Sequence, residues 1–159
     1  KTLRLNPYYT PAYYNLGNVY SKLDRMNEAI DEYRKAIRIK PDDALAYNNL
    51  GNAYSELGRI DEAIEEYQKA IRLEPGYALA HNNLGNAYVK FGFMDEAIEE
   101  YLKAIRLKSD DAITHYNLGL AYWKKGRKES ATKEFKEALK IKPDLIEARQ
   151  ALERLRGKP

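Results

Sequence analysis

The chain has 159 residues, and its 44% hydrophobic and 32% charged content is typical of a folded protein with a sizeable core. It has no cysteine, which excludes disulfides and thiolate sites and fits a reducing compartment. It also has no apolar run of transmembrane length, and its net charge of +3 is too mild to indicate nucleic-acid binding. We therefore expect a cytoplasmic protein with no membrane and no nucleic-acid partner.

The first nine residues are predicted to be the tail of a helix from a preceding unit. The letters KTLRLNP at 1–7 align with KAIRLEP at 69–75. A helical array that begins in this way exposes an uncapped apolar end, because each unit buries its apolar face only against a neighbour. We therefore expect possible head-to-tail self-association through residues 1–9.

From residue 10 onward the sequence repeats with a period of 34 residues. Residues 44–77 and 78–111 are identical at 23 of 34 positions, and the same register extends to 10–43 and 112–145. A period of this length is typical of arrays of helical hairpins. The sequence therefore predicts an all-α solenoid of four antiparallel helix pairs.

Within each repeat, two amphipathic segments are separated by a turn. In the second repeat, the apolar residues that recur on one helical face are Tyr47, Leu50, Tyr54 and Leu57. That helix is predicted to stop at Gly58, and the next to begin near Asp61 and to end before Pro75. The turn residue is Asp24 in the first repeat and glycine in the other three, so a left-handed turn is expected.

A set of seven positions marks each repeat. In the first repeat these are Leu16, Gly17, Tyr20, Ala29, Tyr33, Ala36 and Pro41, and the later repeats depart from the set only slightly, for example at Ser109 in place of proline. This pattern resembles the tetratricopeptide repeat family over almost the whole chain. The resemblance implies a right-handed superhelix whose first helices line a concave, ligand-binding groove.

The glycine in the middle of each first helix calls for a packing explanation. A glycine such as Gly51 costs about 1 kcal/mol relative to alanine inside a helix. Without a side chain it allows a facing helix to approach closely, and we expect Ala63 to be the small residue that faces it. No phosphate-binding loop is indicated, because the glycine does not follow a strand.

Asparagines recur on the helix face that the family resemblance places in the groove. Asparagine is a poorer helix former than Glu, Lys or Ala, but its amide offers a donor and an acceptor suited to a peptide backbone. A ladder of this kind resembles the repeats of O-GlcNAc transferases. The alternative is that the amides bond to neighbouring repeats. The candidate binding residues are Asn15, Asn18, Asn48, Asn49, Asn52, Asn82, Asn83, Asn86, Asn117 and Tyr14.

The fourth repeat carries an apolar stripe in place of part of this ladder. The stripe consists of Ile113, Tyr116, Leu120 and Trp123. Of these, Tyr116, Leu120 and Trp123 are further candidate anchors for a partner. The alternative is that the amphipathic segment at 146–159, which is predicted to be a capping helix, covers the stripe.

No catalytic or metal-binding constellation is found. His81 and His115 stand where Tyr13 and Tyr47 stand in the first two repeats, so we expect them to pack between helices. Acidic pairs such as Glu65-Glu66 are expected on the surface as solvated helix residues. We predict no cofactor, no metal and no enzymatic activity.

The predicted function is a non-catalytic scaffold that binds an extended peptide or a partner helix in its groove. Two alternatives remain open. The repeats could be the recruiting part of a larger enzyme or assembly, or they could form a consensus-like designed array without a natural ligand, because the repeated units also resemble consensus sequences of the family.

Overall fold

The computed structural model describes residues 10–155 and 157, and it describes side chains for residues 12–155 and 157. Throughout these residues the only regular secondary structure is α-helix, which confirms the predicted all-α class. The predicted helix tail at 1–9, and the self-association assigned to it, lie outside the described residues. The chain divides into two compact units, one ending at Gly76 and the other beginning at Tyr77.

The first unit contains two helical hairpins. Its helices are α1 (Thr10–Lys22), α2 (Met26–Ile39), α3 (Ala44–Glu56) and α4 (Ile60–Leu73). Within this unit, α1 packs on α2, α2 on α3 and α3 on α4. Ala29, Ala36, Ala63 and Ala70 are fully buried, so the second helix of each hairpin presents small residues to its neighbours. This allows close helix contact.

The second unit contains two further hairpins and a final single helix. Its helices are α5 (Ala78–Phe91), α6 (Met94–Leu107), α7 (Ala112–Lys124), α8 (Lys128–Ile141) and α9 (Ile146–Leu155). Helix α9 packs on α8 through Ala148, Ala151 and Leu152, which are all buried. It leaves polar residues such as Glu147 and Gln150 exposed, as expected for a helix that caps an array.

The turn within each hairpin has the predicted left-handed backbone. The φ angle is 74° at Gly58, 88° at Gly92 and 73° at Gly126. Asp24 adopts the same conformation with a φ of 58°, and it is the one residue other than glycine with a positive φ among the described residues. Aspartate tolerates this region better than most residues with a side chain, which explains its use in the first turn.

The mid-helix glycines do allow close approach, but to a different residue from the one expected. A Cβ atom added to Gly51 would lie 2.7 Å from Cε1 of Tyr67, and one added to Gly85 would lie 2.6 Å from Cε1 of Tyr101. The atoms nearest to Gly51 therefore belong to Tyr67 and not to Ala63, the residue expected there. The second helix places an aromatic ring against the glycine, and the ring fills the space that a side chain would need.

Candidate functional site

The predicted asparagine ladder separates into buried and half-buried side chains. Asn48 is 0% exposed and Asn82 is 6% exposed. The expectation that both lie on an open face is therefore wrong, because both side chains are buried, and Oδ1 of Asn82 accepts a hydrogen bond from Thr114 of α7. Asn15 is exposed, and the remaining asparagines are half-buried: Asn18, Asn49, Asn52, Asn83, Asn86 and Asn117.

In the first unit, a hydrogen-bond network joins α1, α2 and α3. The hydroxyl of Tyr33 donates to Oδ1 of Asn18 at 2.8 Å. Nδ2 of Asn49 donates to the same Oδ1 at 3.1 Å and to the hydroxyl of Tyr14 at 2.9 Å. Asn18 therefore has its acceptor used twice, while its Nδ2 donor has no partner among the described residues.

This network forms one wall of a pocket in the first unit. The pocket has a volume of about 220 Å³. It is lined by Asn18, Ser21, Lys22, Tyr33, Asn49 and Asn52. The lining residues include asparagines, Ser21 and Lys22, which carry hydrogen-bond donors and acceptors, so the pocket suits hydrogen-bonding ligands such as a peptide backbone.

The second unit repeats the network with one different partner. The hydroxyl of Tyr101 donates to Oδ1 of Asn86 at 2.7 Å, and Nδ2 of Asn117 donates to that oxygen at 3.1 Å. Asn117 also donates to Oδ1 of the buried Asn82 at 3.3 Å, where the first unit has Tyr14. The alternative that the amides bond to neighbouring repeats is thus observed in both units.

Sequence reasoning missed the tyrosines that organise these amides. Each lies fifteen residues after its asparagine: Asn18 with Tyr33, Asn52 with Tyr67, and Asn86 with Tyr101. In the fourth repeat both members change together, to Leu120 and Phe135. This joint change from a polar to an apolar pair was the available signal in the sequence.

The apolar stripe of the fourth repeat is largely covered within the second unit. Tyr116, Leu120 and Trp123 pack against a buried cluster that includes Phe135 of α8 and Leu152 of α9. Trp123 meets the ring of Phe135 edge-on, with centroids 6.4 Å apart. Ile113 alone of the stripe stays exposed, at 44%. The cap-helix alternative is therefore the one observed.

The histidines join the two helices of a hairpin, as expected. Nδ1 of His81 lies 2.6 Å from Oε2 of Glu100, and Nδ1 of His115 lies 2.7 Å from Oε2 of Glu134. The prediction that both members of each acidic pair are surface residues is wrong for the second member, because Glu66 and Glu100 are only 8% exposed. The described residues contain no cluster of three or more metal-ligating side chains.

The helices of the described region are all too short or too polar to cross a membrane. The longest of them have 14 residues, and those that follow each turn, such as α4, carry many charges. This agrees with the sequence, which has no long apolar run.

Comparison with protein families and structures identifies the chain. Family models described as "TPR repeat" match residues 22–58, 51–92 and 92–126, and one described as "Tetratricopeptide repeat" matches 112–145. The chain belongs to the tetratricopeptide repeat family, whose members are helical-repeat solenoids. A search of curated proteins gives no match.

Several solved structures share this fold. A crystal structure of MamA is 34% identical, with 87% of this chain and 81% of that chain covered and a TM-score of 0.81. YrrB, described as a TPR protein with an unusual peptide-binding site, is 28% identical over 94% of this chain and 77% of its own, with a TM-score of 0.79. PilF of Pseudomonas aeruginosa is 25% identical over 92% and 67%, with a TM-score of 0.86.

Proposed function

We propose that this chain is a non-catalytic scaffold that binds an extended peptide through its half-buried asparagines. Family membership supports the general role, because tetratricopeptide repeats act as protein-interaction scaffolds. The similarity to YrrB, which has a peptide-binding site, supports the kind of ligand. The contacts proposed for the first unit are Asn18, Asn49 and Asn52, and those for the second unit are Asn83, Asn86 and Asn117.

One observation carries the proposal: the networks fix which way the central amide points. Oδ1 of Asn18 accepts from Tyr33 and from Asn49, so its Nδ2 is left as a donor beside the pocket. Asn86 has the same two kinds of donor on its Oδ1. A pre-oriented N–H donor in each unit matches the carbonyl groups of an extended peptide. It also lowers the entropy lost on binding.

The test is the replacement Asn18→Asp, alone and together with Asn86→Asp. An aspartate keeps the acceptor that Tyr33 and Asn49 need, but it replaces the outward donor by a second acceptor. Peptides would first be selected by the wild-type protein from a random library displayed on phage. We expect each replacement to weaken a selected peptide about tenfold, because one hydrogen bond to its carbonyl group is lost.

Tyr33→Phe is the matched control for stability. It removes a part-buried hydrogen bond to Asn18 but leaves the donor of Asn18 and the bond from Asn49 in place, so we expect a lower melting temperature and a smaller loss of peptide affinity than in Asn18→Asp. The proposal fails if Asn18→Asp binds the selected peptides as tightly as wild type. It also fails if the library yields no peptide that depends on either asparagine.

A further inference from the structure

Each hairpin turn of the first unit contains an arginine that is paired with a glutamate and lies over a tyrosine ring, and the turns of the second unit lack this pair. Arg25 lies over the ring of Tyr20 at 4.7 Å and donates to Glu28 at 2.8 Å. Arg59 likewise lies over Tyr54, at 4.5 Å, and donates to Glu62. Each turn therefore ends in an arginine whose charge is matched within the same turn and whose side chain covers an aromatic ring.

In the second unit, each turn keeps only one member of this ion pair. The turn between α5 and α6 has Phe93 in place of the arginine, while Glu96 keeps the acidic position. The turn between α7 and α8 keeps Arg127 but has Ser130 in place of the glutamate. Arg127 lies over the ring of Tyr122 at 5.9 Å, and within the described residues it donates no hydrogen bond to a carboxylate.

These two turns lie side by side. Lys125 at the end of α7 donates to the carboxylate of Asp95 at the start of α6. That hydrogen bond holds the pKa of the Asp95 carboxyl below its usual value, and Arg127 is close enough to lower it further. The pair therefore brings Phe93 of one turn and Arg127 of the next to one edge of the second unit.

An exposed aromatic pair stands on this edge. Phe91 is 41% exposed and Phe93 is 47% exposed, and their rings stack with centroids 5.4 Å apart. Besides Lys125, which is paired with Asp95, the neighbouring turn has three exposed cations: Lys124, Arg127 and Lys128. Lys128 stands where the other repeats have the apolar residues Met26, Ile60 and Met94. We call these five residues, Phe91, Phe93, Lys124, Arg127 and Lys128, the turn surface.

We propose that the turn surface is a second binding site, separate from the asparagines, and that it takes a short acidic protein segment carrying an aromatic or large aliphatic side chain. Arg127 offers a guanidinium fork suited to a carboxylate, and the two lysines add positive charge. The two phenylalanines offer the apolar contact. Charge complementarity thus selects an acidic ligand, and the exposed rings select one with an apolar residue beside its carboxylates.

Nucleic acid and anionic membranes fit this surface less well. Single-stranded nucleic acid stacks its bases on open ring faces, whereas Phe91 and Phe93 already stack on each other. A nucleic-acid backbone carries a charge at every phosphate, so it would also have to pass the carboxylates of Asp95, Glu96 and Glu129 in these turns. A short segment with two acidic residues can place both of them on Arg127 and the neighbouring lysines. Two half-exposed rings are, moreover, far less apolar surface than an interfacial membrane helix presents.

The test uses a variant that restores the pattern of the first unit. Phe93→Arg supplies the missing partner of Glu96, and Ser130→Glu supplies that of Arg127. The double variant therefore copies turns that already fold in this chain. Random peptides displayed on phage would be selected on the wild-type protein and then sorted by whether they still bind Phe93→Arg/Ser130→Glu. Circular dichroism would verify that the variant is folded.

We expect one class of selected peptides to contain at least two acidic residues beside an aromatic or large aliphatic one, and to bind the double variant at least about tenfold more weakly. These peptides should bind Asn18→Asp/Asn86→Asp as they bind wild type. The proposal is overturned if no selected peptide depends on Phe93 and Ser130, or if the dependent peptides are basic or uncharged.

Two further probes test whether nucleic acid or an anionic membrane binds the turn surface instead. Single-stranded RNA and vesicles containing phosphatidylserine would be tested on the wild type and on Phe93→Arg/Ser130→Glu. Binding of either probe that the double variant loses, without a dependent class of acidic peptides, would overturn the proposal in favour of that ligand. If the library yields acidic peptides that depend on the turn surface but none that depends on Asn18 or Asn86, the proposed function is contradicted and the turn surface is supported.

Discussion

Glu66 in the first unit and Glu100 in the second occupy the same position of the repeat, and each is 8% exposed. In both, Oε1 accepts a hydrogen bond from a lysine three residues later: from Lys69 at 2.8 Å and from Lys103 at 2.6 Å. Their second oxygens differ. Oε2 of Glu100 is bound to His81, whereas Oε2 of Glu66 is buried without a hydrogen-bond partner.

The same contrast holds for the outer hairpins. Oε2 of Glu32 in the first unit is also buried without a partner, while Glu134 in the second is bound to His115. The facing residue in the first unit is a tyrosine, whose ring lies 5.8 to 5.9 Å from the lysine amino group. The repeat therefore tolerates a buried carboxylate oxygen without a hydrogen bond when a lysine lies nearby. The same oxygen is better stabilised where a histidine is its hydrogen-bond partner.

The largest effect that separates the two units is expected at high pH. Burial raises the pKa of Tyr33 to about 12, and it also raises the pKa of Tyr67 and of Tyr101. An unfolded tyrosine ionises near pH 10, so the stability these residues contribute is complete below about pH 10 and is lost as the pH rises through their folded pKa values. The loss is at most about 1.4 kcal/mol per pH unit for each tyrosine.

The first unit has two such tyrosines and the second has one, because Phe135 fills the fourth position. Urea unfolding between about pH 8 and pH 11 should therefore show a smaller alkaline loss in Tyr33→Phe/Tyr67→Phe than in wild type. Tyr101→Phe should remove about half as much of the loss. Equal slopes in all three proteins would show that these hydroxyls are not held protonated by burial.

The next effect in size is the loss of the imidazole partners. His81→Tyr/His115→Tyr copies the first unit's residues into the second and leaves Oε2 of Glu100 and of Glu134 without a donor. We expect each replacement to lower the free energy of unfolding by about 1–3 kcal/mol at neutral pH, as measured by urea denaturation. At residue 81, a neutral result would mean that Lys103 and the new tyrosine ring compensate fully for the lost hydrogen bond. Glu134 has no such lysine, because residue 137 is a glutamate.

The reverse exchange should give a smaller gain. Tyr47→His places an imidazole opposite Glu66, in the arrangement that His81 and Glu100 already show. We expect a gain of about 1 kcal/mol in unfolding free energy, because the new hydrogen bond is offset by the loss of the tyrosine contact with Lys69. Tyr47→Phe is the control, since it keeps a ring but supplies no donor. If both variants have the same stability, hydrogen bonding to Glu66 is not the cause.

The helical hairpins were predictable because their signals are local and repeated. Gly58 and Pro75 bound α4 in the sequence as they do in the structure, and the 34-residue period fixes the pairing of helices. The left-handed turn at Asp24 was predictable for the same reason, since the other repeats place glycine there.

The candidate site was only partly predictable, because adjacent asparagines on a helix point in directions about 100° apart. Asn48 and Asn49 are neighbours in the sequence, yet Asn48 is fully buried and Asn49 lies beside the pocket. The depth of each side chain depends on how closely the helices around it pack, and the aromatic ring against each glycine sets how closely the two helices of a hairpin approach. The replacement of the arginine by Phe93 and of the glutamate by Ser130 was visible in the sequence. That the two altered turns lie side by side is seen only in the structure, where Lys125 and Asp95 join them.

The smallest expected effect concerns those turns. Phe93→Arg should make the turn between α5 and α6 resemble that of Arg59 and Glu62 in the first unit, with the new side chain over Tyr88 and beside Glu96. Because the pair is exposed, we expect a slight rise in melting temperature at low ionic strength, smaller than that of Tyr47→His. The rise should disappear in 1 M NaCl, where the Debye length is about 3 Å. A rise that persists in salt would instead show that removing the exposed phenylalanine is itself stabilising, and that the ion pair of the first unit contributes little to its turns.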